Sequence, residues 1–216
     1  MAKNRQRIVL WRHGQTNWNI ENRFQGHSDI PLNDAGLQQA ERAAPLLLAL
    51  RPNKIISSDL IRAQQTAAAL AKISTLDVAI DPGLRETNGG NWEGKTGAEN
   101  RAEDYDRFVN WLDGDDQPAG QTGERRSEIA VRAVNAINAA LHEDVSTLIV
   151  VTHGGTARCI LGKMLDMPMN QWSAIGGLSN ACWSILESGH HRDGWVLVEH
   201  NSGSLPEPIY GEESGA

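Results

Sequence analysis

The chain has 216 residues, of which 40% are hydrophobic and 22% charged, with a formal net charge of −7. That length fits one α/β domain with a sizeable core, and the composition is ordinary for a soluble globular protein. The acidic balance argues against general attraction to nucleic acid or an anionic membrane, so an anionic substrate would need a local cationic pocket.

Arg7 to Trp11 (RIVLW) is a short apolar run rich in β-formers that leads straight into RHGQT, which predicts a buried strand ending in a loop. The preceding MAKNRQR lacks the apolar core of a signal peptide, and the longest apolar run, Ala43 to Leu50, is too short to span a bilayer. A cytoplasmic protein is expected. A helix should begin near Asn33, capped by Asn33 or Asp34, with Leu37, Ala40, Ala44 and Leu47 on one face. Pro45 should kink or divide it. Lys54 to Ser57 predicts a second strand, followed by a helix with Ala63, Ala67 and Leu70 inward, and Leu76 to Ile80 a third strand.

Pro82 to Gly97 is glycine-rich without periodicity and reads as an irregular loop. A short helix is expected over Glu103 to Leu112, and a longer one over Arg126 to Leu141 with Ile129, Ala133, Ile137 and Ala140 on one face. Thr147 to Thr152 (TLIVVT) is the strongest strand and runs into His153-Gly154-Gly155, with a helix expected over Thr156 to Leu165. Late strands are expected at Ala181 to Leu186 and Trp195 to His200. Residues 1–201 then form one domain, with a polar tail at 202–216. Cys159 and Cys182 form no CxxC pair and sit in apolar surroundings, so buried structural thiols are expected.

Alternating strands and helices imply a mainly parallel sheet covered on both faces, with ligands bound beyond the carboxyl ends of the strands. Arg12-His13, Ser57-Ser58 with Arg62 a turn later, and His153 all follow such ends. An imidazole is a nucleophile when one nitrogen is unprotonated and the other is held as a donor, and Gly14 allows the close turn that would hold it. Arg12 and Arg62 are candidates to clamp a phosphoryl group bidentately, although surface salt bridging is the commoner fate of an arginine. His153, as an imidazolium, and free N–H groups at the following helix start would complete an anion site. A buried carboxylic acid could protonate a leaving alcohol and later activate water; Glu86 and Glu93 both lie in LRETNGGNWEG, and spacing does not separate them. No HxH, HExxH or Cys/His spacing suggests a metal, and His190-His191 reads as an exposed turn.

The stretch Arg12 to Asn19 (RHGQTNWN) resembles the signature of the histidine phosphatase superfamily, which includes phosphoglycerate mutases. The resemblance continues through Arg23 to Gly36, Ser57 to Ala67, Leu84 to Gly94 and Val150 to Gly155. It implies a three-layer α/β/α sandwich, no metal or cofactor, and a possible homodimer. By residue it implies that His13 is the nucleophile, that Glu86 is the proton donor, and that Arg12, Arg62 and His153 bind the phosphoryl group with Asn19 and Gly154. Gln25 and Gly26 match positions that contact substrate. The loop after Glu86 is similar to the phosphatase branch rather than the mutases, whose arginine pair Arg125-Arg126 resembles only in place. Arg125 stands where the phosphatases have serine. Trp172 to Leu186 with WVLVEHN resembles the glucosyl-3-phosphoglycerate phosphatases of actinobacteria, from which Asn88 departs where that group has histidine. The alternatives are a cofactor-dependent mutase and a non-catalytic phosphate-binding protein on the same fold.

Overall fold

Side-chain alternation along the two central strands settles the architecture. A computed structural model describes residues 5–189 and 194–203. In β1 (Arg7–Arg12) and β4 (Thr147–Thr152), Ile8, Leu10, Leu148 and Val150 face one side, while Val9, Trp11, Ile149 and Val151 face the other. Both sets are buried, so each face needs a cover. With β2 (Lys54–Ser57), β3 (Val78–Ile80), β5 (Trp183–Ser188) and β6 (Trp195–Ser202) they form a sheet in the order β3-β2-β4-β1-β5-β6. β1 to β4 pair in parallel, and β5 runs against both its neighbours.

After the short α1 (Asn17–Ile20), one face is covered by α2 (Asp34–Ala49) and α3 (Ile61–Ser74), through Ala40, Ala44, Leu47, Ala63, Ala67 and Leu70. α4 (Gly97–Glu103) and α5 (Tyr105–Leu112) stand apart from the sheet. The opposite face carries α6 (Arg126–Ala140) and α7 (Gly154–Met164), through Ala133, Ile137, Ile160 and Leu161. The expected three-layer α/β/α sandwich is what forms. A separate aromatic cluster of Phe24, Trp92, Phe108 and Trp111 ties α5 to the loops that follow β1 and β3. Cys159 and Cys182 are buried free thiols, and burial pushes Cys159 up to about 12. No helix among the described residues is long and apolar enough to cross a membrane.

Several expected boundaries move. α2 is undivided: Pro45 lies on its exposed side, where water can serve the carbonyl left without a donor. Leu37 is exposed, and the buried stripe uses Gly36 and Ala43 instead. The helix expected over Glu103 to Leu112 forms as α5, and the unexpected α4 precedes it, separated where Asp104 leaves helical geometry at φ −146°, ψ 58°. β3 spans only the three residues that pair with β2, and two 3-10 turns, Pro82–Leu84 and Gly90–Trp92, interrupt the expected loop. β5 starts late because Ala181 adopts φ +57° and donates its N–H to the His13 carbonyl. α7 starts two residues early, at Gly154, and Ser202 closes β6. The tail beyond residue 203 and the His190-His191 turn lie outside the described residues.

One contact brings a helix start to the end of β1. Asn33 caps α2 by accepting from the Gly36 N–H, and the Gln15 carbonyl accepts from the Asn33 N–H. A Cβ on Gly36 would stand 2.1 Å from the Gln15 oxygen, and one on Gly14 would stand 2.4 Å from the Gly36 oxygen. Helix propensity alone favours alanine at Gly36 by about 1 kcal/mol, but backbone cannot yield as a flexible side chain can. Gly36→Ala should therefore lower the unfolding free energy by roughly 1–3 kcal/mol. A denaturant midpoint that rises instead would refute this packing argument.

Candidate active site

His13 leaves β1 with its backbone held on three sides. Its N–H donates to the Thr152 carbonyl (3.0 Å), and its own carbonyl accepts from the Ala181 N–H (3.1 Å) and from Asn180 Nδ2 (3.2 Å). The ring is buried, and Nδ1 lies 2.7 Å from the Gly14 carbonyl oxygen. A carbonyl only accepts, so Nδ1 carries the proton and Nε2 holds a lone pair. Gly14 is fixed in turn: its N–H donates to Thr66 Oγ1 (3.0 Å), whose hydroxyl donates to the Arg62 carbonyl (2.8 Å). Burial, then the Arg62 and Arg12 charges, hold His13 well below the ordinary value of 6.5, against the opposing pull of the Gly14 bond.

Arg62 is fully buried and lies inside the fold rather than on the surface. Nη1 donates to the Ser28 carbonyl and Nη2 to the Gly26 carbonyl, each at 2.8 Å, while Nε donates to His153 Nδ1 at 3.2 Å. Gly26 adopts φ +49°, and a Cβ there would meet the Glu93 carboxylate at 2.1 Å, so the turn that presents this carbonyl requires glycine. Arg12, also buried, donates from Nη1 to the Leu178 carbonyl.

His153 caps α7 and stands 5.1 Å from His13 between ring centroids. Because Nδ1 accepts from Arg62, the proton sits on Nε2, 2.9 Å from Ser58 Oγ. Burial, then Arg62, with smaller contributions from His13, Arg132 and Arg12, pushes this imidazole well below 6.5. With Nδ1 accepting from Arg62 the ring is held neutral, not as the expected imidazolium.

The start of α7 also differs from expectation. Gly155 N–H donates to Glu86 Oε2 and Thr156 N–H to Oε1, both at 3.1 Å, so the helix start holds the carboxyl group of Glu86. Thr87 N–H adds a bond of 2.7 Å. Among the described residues the Gly154 N–H has no protein acceptor. Glu93 separates from Glu86 by its partners: it accepts from the N–H groups of His27, Ser28 and Gly89, bracing two loops together.

The nine residues read from the sequence thus collect beyond the carboxyl ends of β1, β2 and β4. Asn19 is buried, with Oδ1 accepting from Thr16 and Asn180, and its Nδ2 has no acceptor among the described residues. Gln25 Oε1 is buried with no hydrogen-bond partner among the described residues. Sequence reasoning missed Thr66 and Asn180, and it placed Ser58 at the sheet edge without giving it a partner. Thr66 sits one helical turn after Arg62, so spacing offered a signal for it. Asn180 lies in an irregular segment that offered none. Arg125 and Arg126 point elsewhere: Arg125 donates to the Asp116 carbonyl, and Arg126 donates to the Trp111 carbonyl with its guanidinium 4.1 Å from the Trp111 ring centroid.

The family model for the histidine phosphatase superfamily (branch 1) matches residues 8–203. The chain is 37% identical over 194 residues to a glucosyl-3-phosphoglycerate phosphatase of Mycolicibacterium vanbaalenii, covering 86% of this chain and 85% of that protein. It is 36% identical over 205 residues to a metal-independent phosphoserine phosphatase of Arabidopsis thaliana, covering 90% and 83% respectively. A solved mycobacterial glucosyl-3-phosphoglycerate phosphatase in complex with VO3 superposes with a TM-score of 0.83 at 36% identity, covering 92% of this chain and 100% of that one. The matched sequence, the shared sheet and the paired histidines agree: the chain belongs to the histidine phosphatase superfamily (branch 1), and it is a phosphatase of that family.

Proposed function

We propose that the chain hydrolyses a phosphomonoester through a phosphohistidine on His13, without a metal. The observation that carries this is the 2.7 Å contact of His13 Nδ1 with the Gly14 carbonyl, which leaves Nε2 as a neutral nucleophile. In the first step the Nε2 lone pair forms an N–P bond as the P–O bond to the alcohol breaks, and the Glu86 carboxyl gives its proton to the departing oxygen. In the second, Glu86 takes a proton from water, whose oxygen bonds to phosphorus as the N–P bond breaks. The products are the alcohol and inorganic phosphate, and Glu86 is protonated again for the next turnover.

Arg12 and Arg62 supply the fixed positive charge, with Asn19 Nδ2 and the Gly154 N–H as further donors. His153 steers Arg62, and a bound dianion favours drawing a proton onto its ring. Gln25 and Gly26 are assigned to substrate contact by the family resemblance. The substrate we propose is a sugar phosphate or phosphoglycerate derivative, glucosyl-3-phosphoglycerate first, on the strength of the two relatives that carry that name. Mutase chemistry is disfavoured because Arg125 and Arg126 are engaged with Asp116 and Trp111 rather than available to grip a carboxylate. A homodimer, by family resemblance, and the single domain over 1–201 and a cytoplasmic location, by the sequence pattern, belong to the same proposal.

A steady-state comparison of glucosyl-3-phosphoglycerate, 3-phosphoglycerate and p-nitrophenyl phosphate, run in EDTA, tests this reading. We expect phosphate release without metal, the highest kcat/KM for the glucosyl ester, and no interconversion of phosphoglycerates when bisphosphoglycerate is supplied. His13→Ala should abolish turnover, and Glu86→Gln should lower it roughly 10²–10⁴-fold. Activity that vanishes with chelator and returns with zinc would refute the metal-free mechanism.

The tautomers are separately testable. Nitrogen NMR at pH 6 should find His13 neutral with its proton on Nδ1 and His153 neutral with its proton on Nε2. Both rings sit below 6.5 in the fold, so the unfolded chain binds more protons there, and stability should fall as pH drops below 6.5. An imidazolium at either position in the free enzyme at pH 6 would contradict the assignment.

A further inference from the structure

Glu86 sits in a stretch with no strand or α-helix to hold it, between two 3-10 turns. Its carboxyl group meets α7, but that contact places the acid only if its own backbone is fixed. Three carbonyls before and at Glu86 converge on one side chain. Arg132 Nη1 donates to the carbonyls of Gly83 (2.7 Å) and Arg85 (2.8 Å), and Nη2 donates to the carbonyl of Glu86 itself (2.9 Å). Arg132 belongs to α6, which is anchored on the sheet through its neighbours Ala133 and Ile137.

The same guanidinium makes a two-pronged pair with Glu124, Nε to Oε1 at 2.7 Å and Nη2 to Oε2 at 2.9 Å. Glu124 then carries the constraint to the far side of Glu86. Its Oε2 accepts from the Asn88 N–H (2.8 Å), and its own N–H donates to the Asn88 carbonyl (2.9 Å). His27 Nε2 donates to the Glu86 carbonyl (2.9 Å) and lies 3.7 Å from Glu124 Oε2. Burial raises Glu124, but the Arg132 bond, the Asn88 N–H and the Arg132 and His27 charges together bring it below the ordinary carboxylate value, so it stays ionised at neutral pH.

We propose that Arg132 and Glu124 are positioning residues for the proton donor, clamping the chain on both sides of Glu86 so that its carboxyl group meets the leaving oxygen. This rests on the reading of Glu86 as that donor. Lysine could not replace Arg132, because one ammonium lacks the planar fork that reaches three carbonyls and a carboxylate together. The pair is assembled from α6, the loop before it and the loop after β3, so it transfers the rigidity of the sheet to an otherwise irregular segment.

A misplaced proton donor harms poor leaving groups and spares good ones. p-Nitrophenolate leaves readily unprotonated, whereas phenolate, near a pKa of about 10, needs the proton more. The test is kcat/KM for p-nitrophenyl phosphate and phenyl phosphate in wild type, Arg132→Lys, Glu124→Gln and Glu86→Gln. The ratio of the two substrates on one preparation is independent of how much enzyme is folded, and Glu124→Gln is near-isosteric should Arg132→Lys fold poorly. We expect the phenyl ester to lose on the order of 10- to 100-fold in Arg132→Lys and Glu124→Gln, as an ångström-scale misplacement does, with p-nitrophenyl phosphate losing less than about threefold. Equal losses on both esters, or no loss, in the clamp variants while Glu86→Gln discriminates between the esters would overturn the positioning role and leave Glu86 intact. If Glu86→Gln itself does not discriminate, the donor reading fails, and the clamp proposal falls with it.

Discussion

The short bond between the His13 ring and the carbonyl of the next residue is the constraint on which the site depends. It selects one tautomer of a neutral imidazole and turns the other nitrogen away from that carbonyl, at a turn where a Cβ on Gly14 would stand 2.4 Å from the Gly36 oxygen. That turn is not self-supporting. Thr66 on α3 holds the Gly14 N–H, the start of α2 packs against it through Gly36, and the segment before β5 clamps the His13 carbonyl. Three separate stretches of chain therefore converge on one ring nitrogen.

Charge in the pocket follows from the same burial. Two buried imidazoles lie 5.1 Å apart, tilted by 55° to each other and beside guanidinium groups, and both respond by staying neutral. For the nucleophile this is an advantage, since a protonated His13 has no lone pair to offer. The permanent positive charge then falls to arginine, whose guanidinium stays protonated where a lysine or histidine would shed its proton. Arg62 contributes twice, holding the Gly26 and Ser28 carbonyls of one loop while it fixes the tautomer of His153.

Much of this was legible in the sequence, for reasons that differ by element. RIVLW and TLIVVT read as central strands because burial on both faces demands unbroken apolar runs, and the polar residues that follow had to fall on one edge. The arginine and histidine types announced phosphate chemistry. Partners were less legible. Arg62 binds backbone carbonyls, which every residue possesses and no composition reveals. Glu86 and Glu93 were equivalent by spacing and differ in the N–H groups they meet, the start of α7 for Glu86 and two loops for Glu93. Pro45 was tolerated in α2 because its missing bond faces water, and the left-handed geometry of Ala181 moved the start of β5, both consequences of tertiary placement that periodicity does not encode. The clamp on Glu86 was invisible for the same reason, since Arg132 binds three backbone carbonyls that no residue pattern reveals.

The central claim is that His13 Nε2 takes the phosphoryl group before water does. Phosphohistidine survives alkali and is lost in acid, so a single-turnover reaction quenched in base and digested for peptide mass mapping addresses it directly. The account predicts a transient phosphate on the peptide that contains His13, appearing with release of the alcohol and decaying as inorganic phosphate forms. A transient phosphate on any other residue, or alcohol release with no phosphorylated peptide while the protein turns over, would contradict it.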